Sequence, residues 1–267
     1  MKWQQLISSA RWGKQNTQRS ATEQRTEFQR DYDRLIFSSP FRRLQNKTQV
    51  FPLPGSVFVH NRLTHSLEVS SVGRSLGADV ARLLIPRYSG EDVVALESIS
   101  AIVSAACLAH DLGNPPFGHE GEAAIRSFFA EGEGLYLREQ LPIEVWNDIT
   151  HFDGNANTFR LLTHQFHGRR AGGFVMTYST LAAIAKYPFS YSLATYPKFG
   201  FFEAERKAFA HIFNELGIPA LETHGKHHRF ARHPLVFLVE AADDICYEVM
   251  DIEDAHKLRI LSTEETR

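Results

Sequence analysis

Residues with the chemistry of metal ligands occur in three separate stretches of the sequence. His65 opens one apolar stretch, and the pair His110-Asp111 closes another. The adjacent carboxylates Asp243 and Asp244 follow the apolar run LVFLVEAA in a third. Two imidazoles and two carboxylates suit one divalent ion, Mg²⁺, Mn²⁺ or another transition metal. The spacing leaves open the alternative of hydrogen-bonded core histidines and a surface pair of aspartates.

A second constellation, His119 and Glu122, follows the first. The segment NPPFGH (114–119) predicts a loop because of its prolines and glycine, and a helix then begins. His119 and Glu122 are three residues apart and share one face of the first turn. A carboxylate beside an imidazole fixes the ring tautomer and raises its basicity, as in a general acid–base pair. The alternative is a structural salt bridge at a helix start.

Helices are predicted to position most of these residues. The apolar periodicity near 3.6 residues predicts helices over 65–85, 95–113, 121–132, 155–166, 177–187, 202–217 and 233–258. Pro86 is expected to stop the first helix, Gly113 to cap the second, and Pro234 to lie in the first turn of the last.

One pair of strands is predicted near residues 48–62, where TQVFPL and SVFVHNR flank Pro54-Gly55. The histidine-rich segment HGKHH (224–228) is interpreted as a solvent loop, despite its similarity to a metal-binding tract. No repeat or low-complexity linker divides the chain. The fold class is therefore mainly α with a small β-hairpin, in a single domain over 1–267.

Composition narrows the class of protein. The 267 residues are 43% hydrophobic and 22% charged, which excludes disordered and fibrous classes. Two cysteines exclude a disulfide scaffold. No signal peptide is apparent, and no apolar run is expected to approach 18 residues, so the prediction is a cytoplasmic protein that does not span a membrane. Residues 1–50 carry ten bases and four acids, which suits phosphate or nucleic acid, or a solvated helix face.

Long motifs in a fixed order carry a family resemblance. They are FQRDYDRLIFSSPFRRLQNKTQVFPL (28–53), NRLTHSLEVSSVGRSL (61–76), AACLAHDLGNPPFGHEGEAAI (105–125), FDGNANTFRLL (152–162), KYP (186–188), KFGFF (198–202) and HPLVFLVEAADDICYEVMDIEDA (233–255). With these motifs the sequence resembles the HD-domain deoxynucleoside triphosphate triphosphohydrolases, the bacterial dGTPase-like family. The resemblance covers most of the chain and implies an HD-domain helical fold.

The resemblance also implies roles for individual residues. The metal would be held by His65, His110, Asp111 and Asp243, with His119 and Glu122 as the catalytic pair. Asp243 is preferred to Asp244 because the family pattern continues with a tyrosine and an aspartate at four-residue steps. The substrate-binding residues implied are Gln49, Arg62, Asn155, Lys186, Tyr187, Lys198, Tyr247 and Asp251. Of these, Arg62, Lys186 and Lys198 resemble the triphosphate-binding bases, and Gln49, Tyr247 and Asp251 the residues that contact the sugar.

The implied activity is metal-dependent hydrolysis of deoxynucleoside triphosphates, dGTP first, to the deoxynucleoside and inorganic triphosphate. The family also implies a homo-oligomer, often a hexamer, with dNTP or single-stranded DNA effectors. Family members continue beyond the position of Arg267, so this chain is expected to lack the part that supplies base contacts and some oligomer surface. Two other interpretations stay open: an HD hydrolase of another nucleotide or phosphoester, and a non-catalytic regulatory subunit that binds nucleotide or DNA.

Overall fold

The computed structural model describes residues 1–14, 23–48, 60–168, 171–194 and 198–266. These residues are mainly helical and include one two-stranded antiparallel sheet, which confirms the predicted fold class. The α-helices are α1 (Trp3–Leu6), α2 (Glu27–Ile36), α3 (Ser39–Arg43), α4 (Arg62–Leu84), α5 (Glu91–Leu96), α6 (Ile99–Ala109), α7 (Gly118–Ala130), α8 (Ile143–Thr150), α9 (Gly154–Thr163), α10 (Tyr178–Ile184), α11 (Arg206–Glu215) and α12 (Val236–Lys257). The strands are β1 (Ala220–His224) and β2 (His227–Phe230). Short 3₁₀ helices span Leu44–Asn46, Ile85–Arg87, Glu133–Leu137, Tyr191–Leu193 and Glu203–Glu205.

Helices α4 and α6 form the centre of the fold. Helix α6 is apolar on nearly every side, with buried residues around its whole circumference, as expected for a helix enclosed by others. Two glycines one turn apart on α4 allow the two backbones to approach. A Cβ at Gly73 would lie 2.5 Å from the Cys107 sulfur, and one at Gly77 would lie 2.8 Å from the Ser100 Cα atom. Larger residues there would separate two helices that each carry metal-ligand candidates at one end.

Apolar clusters lie on both sides of this helix pair. One is formed by residues of α2, α3, α6 and α9–α11, with Phe209 stacked between Phe201 and Phe213 at centroid distances of 4.2 and 4.1 Å. The other joins α6 and α4 to α1, α5 and α12. Because α6 contributes to both clusters, its C-terminal end is fixed from two sides.

The predicted helix over 95–113 is divided in the structure. It forms α5 and α6, and α6 ends at Ala109 with His110 as its C-cap. Gly113 therefore does not cap the helix, and that prediction was wrong. It is needed for close approach instead, since a Cβ at Gly113 would lie 2.1 Å from the Thr158 nitrogen. The segment after His110 thus packs directly on α9.

Other predicted boundaries shift by a few residues. Helix α7 begins at Gly118, three residues earlier than expected, and the 202–217 segment starts with a 3₁₀ turn before α11. Pro234 precedes α12, which begins at Val236, so it lies in the preceding turn and not in the helix.

The predicted hairpin near 48–62 falls mostly outside the described residues. Its described ends, Thr48 and Asn61, form an isolated antiparallel bridge. The segment interpreted as a solvent loop, HGKHH, is instead the tip of the hairpin β1–β2, in which His224 pairs with His227. Gly225 has a positive φ of 58°, which a two-residue hairpin turn requires. The alternation of apolar and polar residues did not predict this hairpin, because Phe230 is its one buried apolar residue, at 3% exposure.

One stretch has the length and apolar composition of a membrane span. It is Glu91–Ala109, of 19 residues. The expectation that no apolar run approaches 18 residues was therefore wrong as far as length and mean hydropathy are concerned. A core helix of a globular protein passes the same test, and 56% of this stretch is buried in the fold.

The basic N-terminal segment is partly neutralised inside the fold. Arg11 is only 4% exposed, and its guanidinium donates hydrogen bonds to Asp31 Oδ1 at 2.6 Å and to Glu27 Oε2 at 2.5 Å. Asp31 also accepts hydrogen bonds from the Thr177 backbone and hydroxyl. This base therefore ties the N-terminal segment to α2 and to the start of α10, and it does not face an external anion.

Candidate metal and phosphate site

Three helices bring the predicted metal ligands together. His65 lies in the first turn of α4, His110 and Asp111 follow α6, and Asp243 lies on α12. His65 Nε2 is 3.0 Å from Asp243 Oδ1, and His110 Nε2 is 3.4 Å from the same oxygen. Potential ligand atoms of His65, His110 and Asp111 all lie within 4.8 Å of one another. Asp244, the alternative carboxylate, is exposed on the same helix.

The hydrogen bonds around this cluster leave a ligand atom available on His110. Its Nδ1–H donates to the Cys107 carbonyl at 2.6 Å, which places the lone pair of the neutral ring on Nε2. Nε2 is buried and has no hydrogen-bond partner among the described residues. Asp111 is oriented by Asn114, whose amide donates to Oδ1 at 2.5 Å, and by Arg62, which donates to Oδ2. Such oriented donors, with an unpartnered imidazole nitrogen between carboxylates, fit a divalent ion.

The charges within the cluster affect the pKa values of its members more than burial does. Burial alone would raise the pKa of Asp243, but the positive charge of His110 and the hydrogen bond from His65 lower it well below its usual range. Burial likewise opposes the charge of Asp111, and His110 and Arg62 lower its pKa. Burial disfavours the protonated ring of His110, but Asp111 and Asp243 outweigh it and raise the pKa to about 9, so a metal ion at Nε2 would compete with this proton. Two ionised carboxylates are thus held in place, ready to balance a cation.

The cluster lies in the wall of a cavity of about 610 Å³. The predicted site residues that line this cavity are Arg62, His65, His110, Asp111, His119, Glu122, Asn155, Lys186, Tyr187, Lys198, Asp243 and Tyr247. Asp251, one turn beyond Tyr247 on α12, is not among the lining residues. Gln49 lies outside the described residues. The structure therefore brings twelve of the fourteen predicted residues to one cavity.

Helix α7 presents the proposed acid–base pair in two different environments. The helix starts with Phe117 and Gly118 at positive φ, and His119 in its first turn is exposed to the cavity. Glu122 is only 3% exposed. No hydrogen bond joins the two side chains within the described part of the chain. The Glu122 carboxylate instead accepts from the Gly154 N–H at 2.7 Å.

The second oxygen of Glu122 is also occupied. Arg126 donates to Oε2 at 3.2 Å, and Lys198 Nζ lies 3.3 Å from the same atom. Lys198 is 3.7 Å from Asp153 Oδ2, an oxygen that has no hydrogen-bond partner among the described residues. The carboxylate of the predicted pair thus acts here as a counter-ion of a predicted phosphate-binding lysine.

All three predicted phosphate-binding cations are held in ion pairs. Arg62 pairs with Asp111, Lys198 with Glu122, and Lys186 Nζ lies 3.2 Å from Glu240 Oε1. Among the described residues, five carboxylates line the cavity against three bases, which gives this part of the wall a formal charge of −2 with neutral histidines. A highly charged anion would be repelled by such a wall unless a divalent cation neutralised it.

The sequence did not single out several residues that complete this arrangement. Glu240 lies three residues before Asp243 on α12, a spacing that places both on one helix face and that the sequence displayed. Asp153 is fully buried and caps α9, and its Oδ1 accepts from the backbone and the amide of Asn155 at 2.7 and 2.8 Å. An aspartate at the start of a predicted helix was the available signal.

Two further histidines near the motifs have structural partners. His60 Nδ1 lies 2.8 Å from Asp254 Oδ1, and its backbone N–H donates to the same carboxylate. His151 stacks on Tyr191 with a centroid distance of 3.9 Å. Neither histidine lines the cavity.

Comparison with known proteins identifies the same region. Residues 62–153 match the family model for the HD domain. This range begins with Arg62 on α4 and ends with Asp153, and it contains His65, His110 and His119.

Curated relatives match nearly the whole chain. A deoxyguanosinetriphosphate triphosphohydrolase-like protein of Synechocystis sp. is 44% identical over 98% of this chain and 61% of its own length. A protein of the same name from Pseudomonas aeruginosa is 42% identical over 99% of this chain and 59% of its own length. A deoxyguanosinetriphosphate triphosphohydrolase of Yersinia enterocolitica is 34% identical over 98% of this chain and 56% of its own length.

The chain spans 56–61% of the length of these three relatives. The family predicted from the sequence motifs is confirmed by both comparisons. Residues 62–153 therefore form an HD domain, and over nearly its whole length the chain is similar to dGTP triphosphohydrolase-like proteins.

Proposed function

We propose that the protein hydrolyses deoxynucleoside triphosphates, dGTP preferentially, to the deoxynucleoside and inorganic triphosphate, and that one divalent ion is required. The observation that carries this proposal is the convergence of His65, His110, Asp111 and Asp243 in the wall of a cavity that Lys186 and Lys198 also line. A cavity wall with a group of metal ligands (the metal end) and a group of bases (the phosphate end) suits a substrate with a chain of phosphates.

Each end of the cavity would contribute separately to catalysis. The four ligand side chains would hold the ion, which when bound supplies Lewis acidity to a phosphate oxygen. Lys186 and Lys198 would bind the phosphates that are not attacked, and Arg62 would orient Asp111 as well as contact phosphate. These interactions would fix the α-phosphorus near the metal end.

His119 would handle the proton in the reaction. Water attacks the α-phosphorus, the bond from phosphorus to the 5′-oxygen breaks, and the nucleoside oxygen takes up a proton as it leaves. His119 is exposed to the cavity and has no hydrogen bond with any described residue, so its ring would be able to donate that proton. Glu122, three residues later on α7, would orient the ring once Lys198 turns to the phosphates.

Tyr247 is proposed to make the site prefer deoxyribose to ribose. Its ring lines the cavity and lies edge-on to His65, with centroids 6.4 Å apart. A ring in this position would crowd a 2′-hydroxyl group next to the metal end. Asp251 and Gln49 are proposed to contact the sugar. The oligomeric state, the effectors and the cytoplasmic localisation stay predictions from the sequence.

The reaction is tested by incubating the protein with each dNTP and Mg²⁺ or Mn²⁺ and separating the phosphate products. Inorganic triphosphate should appear in equal amounts with the deoxynucleoside, fastest from dGTP. His119→Ala should lower kcat by about 10²- to 10⁴-fold and keep the metal. Pyrophosphate or monophosphate as the product would contradict the proposal. Tight DNA binding without hydrolysis of any dNTP would favour the regulatory alternative.

A further inference from the structure

Glu240 is a carboxylate in the cavity wall that no step of the proposed reaction uses. It lies on α12, one turn before Asp243, and lines the cavity beside Lys186. Its Oε1 is 3.2 Å from Lys186 Nζ. A negative charge in a wall that is proposed to bind phosphates opposes binding, so its presence needs a reason.

The other oxygen of Glu240 has a partner outside the cavity. Arg232 donates to Oε2, and its guanidinium carbon lies 4.5 Å from the centroid of the Phe237 ring. Arg232 is not among the lining residues of the cavity. An anion that enters the cavity therefore contacts Lys186 and not Arg232. If Lys186 turns to that anion, Glu240 still has Arg232 as its counter-ion.

Lys186 is the most exposed member of this group of three and the one that lines the cavity beside Glu240. Its side chain is 38% exposed, compared with 21% for Glu240 and 30% for Arg232. Its single ammonium group can pair fully with either the fixed carboxylate or a phosphate oxygen. Glu240 and the phosphate thus compete for one cation, and Arg232 and Phe237 hold the carboxylate where it can compete.

We propose that Glu240 is a competing counter-ion for Lys186, which weakens the hold of the site on inorganic triphosphate and so speeds product release. This inference rests on the proposed function, because it takes the bound anion to be a triphosphate. The free product carries more charge than the same chain in an ester, so a wall of cations alone would retain it most strongly. A competing carboxylate counteracts that retention.

A positioning role for Glu240 predicts the opposite result. If the carboxylate served to aim Lys186 at the phosphate, its removal would weaken anion binding as removal of the lysine does. If it competes, its removal frees the lysine and takes one negative charge from the wall, and anion binding tightens. The sign of the change in affinity therefore distinguishes the two roles.

The experiment measures binding of inorganic triphosphate to the full chain with Mg²⁺ by calorimetry. Glu240→Gln should lower Kd about fivefold, and the inhibition constant of triphosphate in turnover should fall in parallel. Glu240→Met, which removes the charge and keeps the side-chain length, should act in the same direction. Glu248→Gln on the exposed face of α12 changes the net charge equally and should leave Kd unchanged.

A higher or unchanged Kd for both Glu240 variants would overturn the inference, and so would an equal gain of affinity in Glu248→Gln. Lys186→Met tests the underlying function separately, since it should raise Kd. If Lys186→Met leaves Kd unchanged while dNTP turnover yields triphosphate, the inference fails and the proposed reaction stands. If the wild type neither binds triphosphate nor releases it from dNTPs, the proposed function fails as well.

Discussion

The two groups of residues in the cavity wall, the metal end and the phosphate end, are built in different ways. The metal end uses side chains at helix ends and on α12, and backbone or side-chain hydrogen bonds already orient them, as Cys107 orients His110 and Asn114 orients Asp111. The phosphate end uses Lys186 and Lys198, which follow α10 and precede the loop into α11, and both are in ion pairs with carboxylates. Hydrogen bonds already orient the groups of the metal end, whereas both lysines of the phosphate end must leave an ion pair to bind phosphate.

This difference predicts different kinds of failure. A change at the metal end should remove the ion and with it nearly all activity, since a fixed site has no substitute for a lost ligand. A change at the phosphate end should alter affinity by degrees, because its cations already share their charge with protein groups. Single substitutions at each end, compared with matched controls, test this contrast.

The largest effect is expected at the metal end, from Asp243→Asn. The change keeps the shape of the side chain but removes a charge that His65 and His110 both approach, so metal content should fall and kcat should drop about 10³-fold or more. Asp244→Asn is the matched control, with the same change of charge one residue away on the exposed side of α12. Metal analysis and turnover should separate the two variants. A reversed pair of results would make Asp244 the ligand.

A smaller effect is expected at the phosphate end, from Lys198→Met. Loss of one charge-assisted contact to phosphate should raise KM about 10- to 100-fold with the metal retained. Lys207→Met, at an exposed position on α11, controls for the change in net charge. If kcat fell about 10³-fold instead while KM held, Lys198 would act on the reacting atoms, and the contrast between the two ends would be lost.

Residue types and positions alone indicated the candidate metal ligands, whereas the candidate phosphate-binding bases came only from the family motifs, and the reason is physical. Histidine and aspartate beside apolar runs, as at His110 and Asp111, are costly to bury unpaired, so their types and positions already indicate a partner. Lysines such as Lys186 are ordinary surface residues, and only the family motifs singled them out. Their counter-ions depend on which helix faces meet, and one sequence does not show that for Glu240 and Asp153.

The fold shows the same limit. Long apolar periodicity located α4, α6 and α12 because burial of one helix face decides their structure. The hairpin β1–β2 was missed because a positive φ at Gly225 and one buried ring, Phe230, hold it, and neither makes a pattern. The end of α6 was misplaced because Gly113 serves close packing on α9, and packing between distant segments is not visible in local sequence.

The smallest effect on activity is expected from Asp148, which supports the loop that carries Lys198. Its effect is on stability, and it depends on pH. Asp148 on α8 accepts the Glu203 N–H at 2.6 Å, at the end of the loop that carries Lys198. Burial, with added repulsion from Glu203 and Glu205, raises its pKa from 3.8 to about 7. The folded state thus binds this proton more tightly than the unfolded state. Its contribution to stability is fully present below pH 3.8 and is lost as the pH rises through 7.

Asp148→Asn should remove this pH dependence and keep an acceptor for the Glu203 N–H. Relative to the wild type, its free energy of unfolding should rise by about 2 to 3 kcal/mol between pH 5 and pH 8, measured by urea denaturation at each pH. Metal affinity should stay unchanged, because the metal end does not depend on this loop for its orientation. A difference that is constant with pH would mean that Asp148 is ionised throughout, and a loss of metal would mean that the two ends are not independent.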